Sequence, residues 1–204
     1  MTKKTSMKNI RTIALIVAVI TLILPTYARS ASISSEIYAN ADDIKLNVAW
    51  IFPAYDSYPE AGIGLDYSDD YLITNINFAL KDDVLVPGLI LGLGLKAFVG
   101  EVEVGPKEYD LGAVSFQVLG EYDLRERATN LPITISASFS LAPEALCFRD
   151  SNRYMEFSAA LYFYVVENGA IGVGYRTFDA RFDDPPGEVE KDDDSLFIGF
   201  RLRF

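Results

Sequence analysis

The residues with chemical potential in this chain fall into two sets. The first is distributed. Glu36, Lys45, Asp66, Lys96, Glu121, Glu156, Arg176, Arg201 and Arg203 each stand on the polar side of a segment whose neighbours alternate between polar and apolar. Charges of both signs on one surface suit either a selective polar pore or an internal ion-pair network, because charges withdrawn from water must be paired. Five positive and four negative groups nearly balance. That balance favours the closed network, since an ion-selective path shows one dominant sign. The second set is concentrated. Asp183, Asp184, Glu188, Glu190, Asp192, Asp193 and Asp194 crowd one short stretch. Carboxylates at that density could hold a hard divalent cation, or bridge through one to lipopolysaccharide phosphates. Their spacing lacks the ligand alternation and fixed glycine of a dedicated calcium loop, so the first expectation is a solvated, self-repelling loop.

Other chemistries are poorly provided for. Histidine is absent, which removes the commonest general base, the commonest metal ligand and every Ser-His-Asp or Cys-His arrangement. Cys147 is the single cysteine, so no internal disulfide forms. Its expected role is that of a small packed hydrophobe. Pro143-Glu144 with Arg149, Asp150, Asn152 and Arg153 reads as a loop tied by its own ion pairs, with ligand binding as the alternative. The net charge of −11 makes nucleic acid an unexpected partner. No cofactor motif is present. The expectation is a protein that is not an enzyme.

The elements that would position these charges are strands. Ser195 to Phe204 reads S-L-F-I-G-F-R-L-R-F. Leu196, Ile198, Phe200, Leu202 and Phe204 share one face, while Arg201, Arg203 and Gly199 share the other. A strand of about 9–11 residues with one apolar face is what crosses a bilayer in an outer-membrane barrel. This set is the expected barrel-assembly signal and closing strand. Earlier segments repeat the pattern: Ile33–Ala39, Asp43–Ile51, Ala61–Ser68, Tyr71–Leu80, Gly88–Glu101, Tyr109–Tyr122, Leu131–Leu141, and a hairpin within Asn152–Phe182. In Gly88–Glu101, leucines alternate with Gly92, Gly94, Lys96 and Gly100. In Leu131–Leu141, Thr134, Ser136, Ser138 and Ser140 make a row of hydroxyls that suits a polar lumen and not a sandwich core.

The expected fold is therefore all-β: one antiparallel transmembrane barrel of about ten strands, with eight as the alternative. Turns near Asn40, Asp69, Val102–Glu108, Pro143–Ser151 and Asp183–Asp194 would face outward. For the hairpin, a three-residue turn Glu167-Asn168-Gly169 would pair Val166 with Ala170 and lay Tyr164 over Gly172 and Tyr162 over Gly174.

The N-terminus supplies the compartment. Lys3, Lys4, Lys8 and Arg11 precede the apolar run Thr12–Leu24, and small residues follow Pro25. This is the layout of a secretory signal peptide. The run is shorter than the roughly 18–20 residues of a spanning helix. The expected organisation is a signal peptide over residues 1–31, cleaved between Ala28 and Ser32, and a barrel over residues 32–204.

The runs L-I-L-G-L-G-L-K-A-F-V-G-E-V (Leu89–Val102), L-A-P-E-A-L-C-F-R-D-S-N-R-Y-M-E-F (Leu141–Phe157), N-G-A-I-G-V-G-Y-R (Asn168–Arg176) and the C-terminal D-D-S-L-F-I-G-F-R-L-R-F resemble the YfaZ family of outer-membrane barrels of Gram-negative bacteria. The resemblance covers most of the chain after the leader and is weakest before Ala61. Cys147 and Pro185-Pro186 depart from it. It implies fold and location and carries over no catalytic residue. The expected role is structural or binding, with a lumen closed by side chains; a narrow diffusion channel is the alternative. Expected partners are outer-membrane lipid, lipopolysaccharide and the barrel assembly machinery. The residues do not identify a small-solute ligand.

Export is expected to remove the segment ending between Ala28 and Ser32. N-terminal mass spectrometry of the membrane-inserted protein checks this, and mature protein that retained Thr12–Leu24 would refute it.

Overall fold

A computed structural model describes residues 31–52, 54, 57–84, 86–126, 131–184 and 187–204. The leader segment lies outside the described residues, as does the Pro185-Pro186 pair.

The strands are β1 (Ser32–Ala39), β2 (Asp43–Ile51), β3 (Tyr58–Ser68), β4 (Tyr71–Asp83), β5 (Leu89–Val104), β6 (Lys107–Asp123), β7 (Ile133–Ala142), β8 (Cys147–Arg149), β9 (Ser151–Val166), β10 (Gly169–Asp184) and β11 (Gly187–Arg203). All but β8 form a ring in which each pairs antiparallel with its neighbours, and β11 pairs with β1 to close it. The result is a closed ten-stranded barrel. Short β8 branches from β6, pairing Leu111–Ala113 with Cys147–Arg149 above the end of β7. Within the ten-strand ring, closure gives every strand a partner on each side, which is the condition for crossing hydrocarbon.

Both described termini lie at one end, here the near end, where Ile33 and Phe204 exchange backbone hydrogen bonds of 2.9 Å. The opposite, far end carries the turns at 40–42, 69–70 and 105–106, the segment 143–150, and the pair of Asp184 with Gly187 that ends the β10–β11 ladder. The outward turns expected from the sequence therefore share one end. Their lengths differ from expectation. β5 and β6 continue to a tight turn, with Val104 opposite Lys107 and Gly105 at φ 63°. The acidic stretch Asp183–Asp194 is not a loop. Asp184 pairs with Gly187, Asp179 with Asp192 and Thr177 with Asp194 in a continuous ladder. Long connections occur at both ends: between β2 and β3 and between β6 and β7 at the near end, and between β7 and β9, which includes β8, at the far end.

The reason strands outrun their apolar patterns is a change of polarity, not of period. Along β11, Phe200, Ile198 and Leu196 point outward and are exposed; the same face continues with exposed Asp194, Asp192, Glu190 and Glu188. Along β10, outward Ile171, Val173 and Tyr175 give way to Thr177, Asp179, Arg181 and Asp183. The inward face changes the opposite way, from Gly172, Gly174 and Arg176 to buried Phe178, Ala180 and Phe182. On β5, outward Leu91, Leu93, Leu95 and Val99 are followed by Glu101 and Glu103, while Lys96 is followed inside by Phe98 and Val102. The barrel is apolar outside and polar inside along a belt next to the near end, and reversed beyond it. An exposed apolar belt on a closed barrel is a lipid-facing surface. The chain is thus an outer-membrane-type barrel whose far end projects into water with an apolar filling.

The β9–β10 hairpin departs from the expected register by two residues. Gly169 pairs with Val166, and after a bulge Ala170 pairs with Tyr164 and Gly172 with Tyr162. A two-residue displacement preserves faces but changes partners. Tyr162 lies over Gly172, Phe197 over Gly174 and Tyr38 over Gly199, where a Cβ would come within 2.7, 2.4 and 2.2 Å of the respective rings. Each glycine makes room inside the wall for an aromatic ring of the adjacent strand.

Leu196, Ile198, Phe200 and Phe204 are 76, 66, 42 and 67% exposed on the lipid face, and Leu202 is half-buried on the same strand. Phe204→Asp places a charge at the near-end rim, and Gly199→Val drives a side chain into the Tyr38 ring. Both variants are expected to lower the yield of heat-modifiable, membrane-inserted barrel at least several-fold, whereas Glu188→Ala on the water-exposed collar leaves it unchanged. Equal yields of all three would contradict the assignment of belt and collar.

Candidate functional site

The interior of the barrel is the candidate site, and it is layered. At the far end an aromatic cluster fills the cross-section. Tyr71, Ile73, Phe98, Val102, Leu111, Tyr154, Phe178 and Phe182 are at most 4% exposed. Phe98 and Tyr154 have ring centroids 4.3 Å apart, Tyr71 and Phe178 meet edge-on at 5.3 Å, and Tyr109 stacks on Phe182 at 5.2 Å. Cys147 packs beside this cluster, donating weakly to the Ala142 carbonyl at 3.7 Å. The sequence reading placed Cys147 as a packed hydrophobe but did not identify the cluster.

Directly beneath it lies a charge cluster centred on Glu156. This carboxylate accepts from Lys45 Nζ at 2.9 Å, Lys96 Nζ at 2.8 Å and Arg176 Nε at 2.9 Å. Arg176 Nη2 also donates to Asp66 Oδ2 at 3.1 Å, and Lys45 lies 3.7 Å from the same oxygen. Four strands converge here because Lys45, Asp66, Lys96 and Glu156 sit on inward positions of β2, β3, β5 and β9, with Arg176 from β10 as the fifth element. The two layers are joined by cation–π contacts: Lys96 Nζ lies 4.6 Å from the Phe98 centroid, and the Arg176 guanidinium lies 4.9 Å from that of Phe178.

A second charge cluster lies toward the near end. Arg201 Nε donates to Glu36 Oε1 at 2.5 Å, and Arg203 Nη2 donates to both Glu121 oxygens at 2.7 and 2.9 Å. Arg201 stacks on Tyr162 at 3.6 Å. The Tyr38 hydroxyl bridges Glu36 and Tyr162. The juxtaposition of β1 and β11 expected from closure thus brings Arg201 to Glu36. Arg203 bonds instead to Glu121 on β6, which also lies 3.6 Å from Arg201 Nη1, so Glu36, Arg201, Glu121 and Arg203 form one cluster. Arg176 does not join this group: it is paired in the cluster above. A third pair, Lys81 with Glu60 at 2.6 Å, was missed by sequence reading because β4 was ended at Leu80 and β3 begun at Ala61. Extending the alternation by one step on each strand would have found it.

The acidic stretch is distributed along two strands and largely engaged. Asp184 accepts from Lys107 at 2.8 Å and Tyr109 at 3.1 Å; Asp183 accepts from Asn152 at 2.9 Å, and Glu188 from the same amide at 3.4 Å. Glu190 accepts from Arg181 at 3.1 Å, Asp193 from Tyr71 at 3.2 Å and Asp194 from Tyr175 at 2.9 Å. Carboxylate oxygens of Asp179, Glu190 and Asp192 lie within 4.8 Å of one another, but Arg153 already holds Asp179 at 2.9 Å. A hydrogen bond with Asp179 pushes the Glu190 carboxyl above its ordinary range. Of the loop groups named from sequence, Arg149 lies 3.6 Å from Asp110, and Asp150 accepts the Asp110 backbone N–H at 2.9 Å.

Between the Glu156 cluster and the near end is a cavity of about 170 Å³. Its wall includes Ser34, Glu60 and Arg203 near the rim, the amides Asn47, Asn75, Asn77 and Gln117, and the hydroxyls Ser136, Ser138 and Ser158.

No family model matches the sequence, and no curated protein matches it. Among solved structures the chain is similar to the NanC porin, with a TM-score of 0.47 at 9% identity over 85% of this chain and 99% of that one. It is also similar to Neisserial surface protein A, with a TM-score of 0.37 at 12% identity over 85% and 94% of the two chains. For the translocator domain of the autotransporter NalP from Neisseria meningitidis the TM-score is 0.33 at 10% identity over 96% of each chain. No residue role crosses at these identities, and the fold stands on this chain's own strand pairing.

Glu156 is 3% exposed and neutralises three cations. Removing one partner of a buried pair costs ~3–5 kcal/mol. Glu156→Ala is therefore expected to destabilise the barrel by about that amount in urea unfolding from lipid vesicles, and Glu60→Ala, at the wetter rim, by less. Equal losses would contradict the central place of Glu156.

Proposed function

We propose that this protein is an outer-membrane barrel that does not conduct, with a structural or binding role and no enzymatic one. The observation that carries the reading is the pair of stacked layers. An aromatic cluster spans the far end, and directly below it Glu156 ties together side chains from β2, β5 and β10. A solute moving along the axis would have to separate packed rings and then break several charge-assisted hydrogen bonds in a poorly solvated interior. The near balance of paired charges supports the same reading, because a selective path needs an excess of one sign.

The resemblance of Leu89–Val102, Leu141–Phe157 and the C-terminal strand to the YfaZ family fits this role, and we assign the chain to that family on those motifs. The partners that follow are outer-membrane lipid against the apolar belt, lipopolysaccharide around the charged collar, and the barrel assembly machinery for the strand ending at Phe204. Absence of histidine and the engagement of most interior carboxylates in ion pairs support a non-catalytic role.

Purified protein in a planar bilayer is expected to give no steady single-channel current at neutral pH. The double variant Tyr154→Ala/Phe178→Ala, which empties the far-end cluster, should show leak currents. Steady, large conductance from the unmutated protein would overturn the closed lumen in favour of a narrow diffusion channel.

A further inference from the structure

The near-end cavity holds polar groups whose hydrogen-bonding capacity is not used. Asn75 Nδ2 and Gln117 Oε1 are buried, their residues are only 5 and 7% exposed, and neither atom has a hydrogen-bond partner among the described residues. Both residues line the cavity. Buried polar atoms are almost always satisfied, by protein, water or ligand. Here an unused donor and an unused acceptor belong to two residues that line the same space.

The backbone is shaped to keep that space polar. A Cβ at Gly64 would come within 2.5 Å of Asn47 Oδ1 and Asn75 Nδ2, and one at Gly62 within 2.5 Å of Asn77 Oδ1. The two glycines of β3 are therefore what allow three amides to lie side by side on the wall. Ser138 and Ser158 hydroxyls, 2.8 Å apart, continue the neutral polar surface. Every charged side chain bordering the cavity has an ion-pair partner: Glu36 with Arg201, Glu121 with Arg203, Glu60 with Lys81, and Lys45, Lys96 and Arg176 with Glu156. Arg201 Nη1 and Arg203 Nε are buried N–H groups that keep no hydrogen-bond partner among the described residues. A charged solute would have to exchange one of these pairs for itself, whereas a neutral one can meet the unused amide and guanidinium groups and leave every pair in place.

We infer that the near-end cavity is a binding cup for a small neutral polyhydroxylated solute of monosaccharide size, held by Asn75 and Gln117. This rests on the reading of the lumen as closed at the far end, which makes the cavity a cup and not a stage of a pore. The size fits: about 170 Å³ is many times the roughly 10–15 Å³ that a single water needs. It is below the roughly 300 Å³ at which drug-sized pockets begin. Hydroxyls that both donate and accept match an amide N–H on one side and an amide C=O on the other.

The test uses the full mature chain in phosphocholine micelles, which carry no sugar headgroup. Saturation-transfer NMR is run with D-glucose as the neutral probe and D-glucuronate as its charged counterpart. Transfer to glucose that exceeds transfer to glucuronate is expected, with binding weakened at least about fivefold in Gln117→Leu, which removes one hydrogen bond. Ser136→Leu, which adds bulk to the wall while leaving Asn75 and Gln117 in place, should weaken binding similarly and keeps the test open if Gln117→Leu does not fold. Heat-modifiable migration establishes which variants are folded. No transfer to glucose would mean the cavity holds only water and overturns the proposal, as would equal transfer to glucuronate or unchanged binding in the folded variants. A barrel that binds glucose yet conducts in a bilayer would overturn the closed lumen while leaving the cup in place.

Discussion

The constraint on which the structure depends is that each strand passes through two media. Over the belt the outer surface meets hydrocarbon, so Leu93, Ile198 and Val173 belong outside and the polar residues must turn inward. Beyond the belt the outer surface meets water, and the same strands exchange their faces: Asp192, Glu103 and Asp179 outside, Phe178, Val102 and Phe182 within. Along β10 and β11 the two-residue period does not break, because their pairing runs unbroken from Gly169 to Asp184. The polarity of the side chains alone changes. A dry, aromatic far end and a charged, hydroxylated middle are two outcomes of one rule.

Turning polar residues inward creates a second requirement. Charges inside a barrel too narrow to hydrate them freely must neutralise one another. Glu156 meets this requirement for Lys45, Lys96 and Arg176, and Glu121 and Glu36 meet it for Arg203 and Arg201. Lys45 and Lys96 reach Glu156, and Arg203 reaches Glu121, from strands that are not neighbours in the ring, so these pairs also tie the wall together across the lumen, while the pairs of Glu36 with Arg201 and of Glu156 with Arg176 join adjacent strands. Space for the rings that separate these clusters comes from glycine. Tyr162, Phe197 and Tyr38 each lean over the glycine of a neighbouring strand, which lets large side chains lie along the wall and leaves the near-end cavity unfilled.

Much of this was legible in the sequence. The alternation of Leu89–Val99, the hydroxyl row from Thr134 to Ser140 and the closing strand ending at Phe204 identified both the barrel and its inward faces. The nine charges on those faces were legible because side-chain period in a strand is fixed. Three features were not. The acidic stretch after Asp183 reads as a loop because its residues are charged on both faces, and only the pairing of Asp179 with Asp192 shows it to be a ladder. The hairpin register was displaced by the bulge between Gly169 and Ala170, which depends on turn geometry that alternation does not encode. The partners of Arg203 and Arg176 depend on strand stagger around the whole barrel, a property of closure and not of any local segment. The apolar far end was readable in principle, since Phe178, Ala180 and Phe182 keep the inward parity of Arg176. The hairpin's alternation, followed from the sequence only as far as Arg176, leaves these three residues without a face.

The central claim is that the interior communicates with the near end and is sealed from the far end. The most direct test places a single thiol in the lumen by Ser138→Cys in a Cys147→Ser background. The protein is reconstituted in one orientation, and a membrane-impermeant cationic methanethiosulfonate is added to one side at a time. The account predicts modification from the side bearing the chain termini and at least a hundredfold slower modification from the other. Equal rates from both sides would show a continuous aqueous path and contradict it.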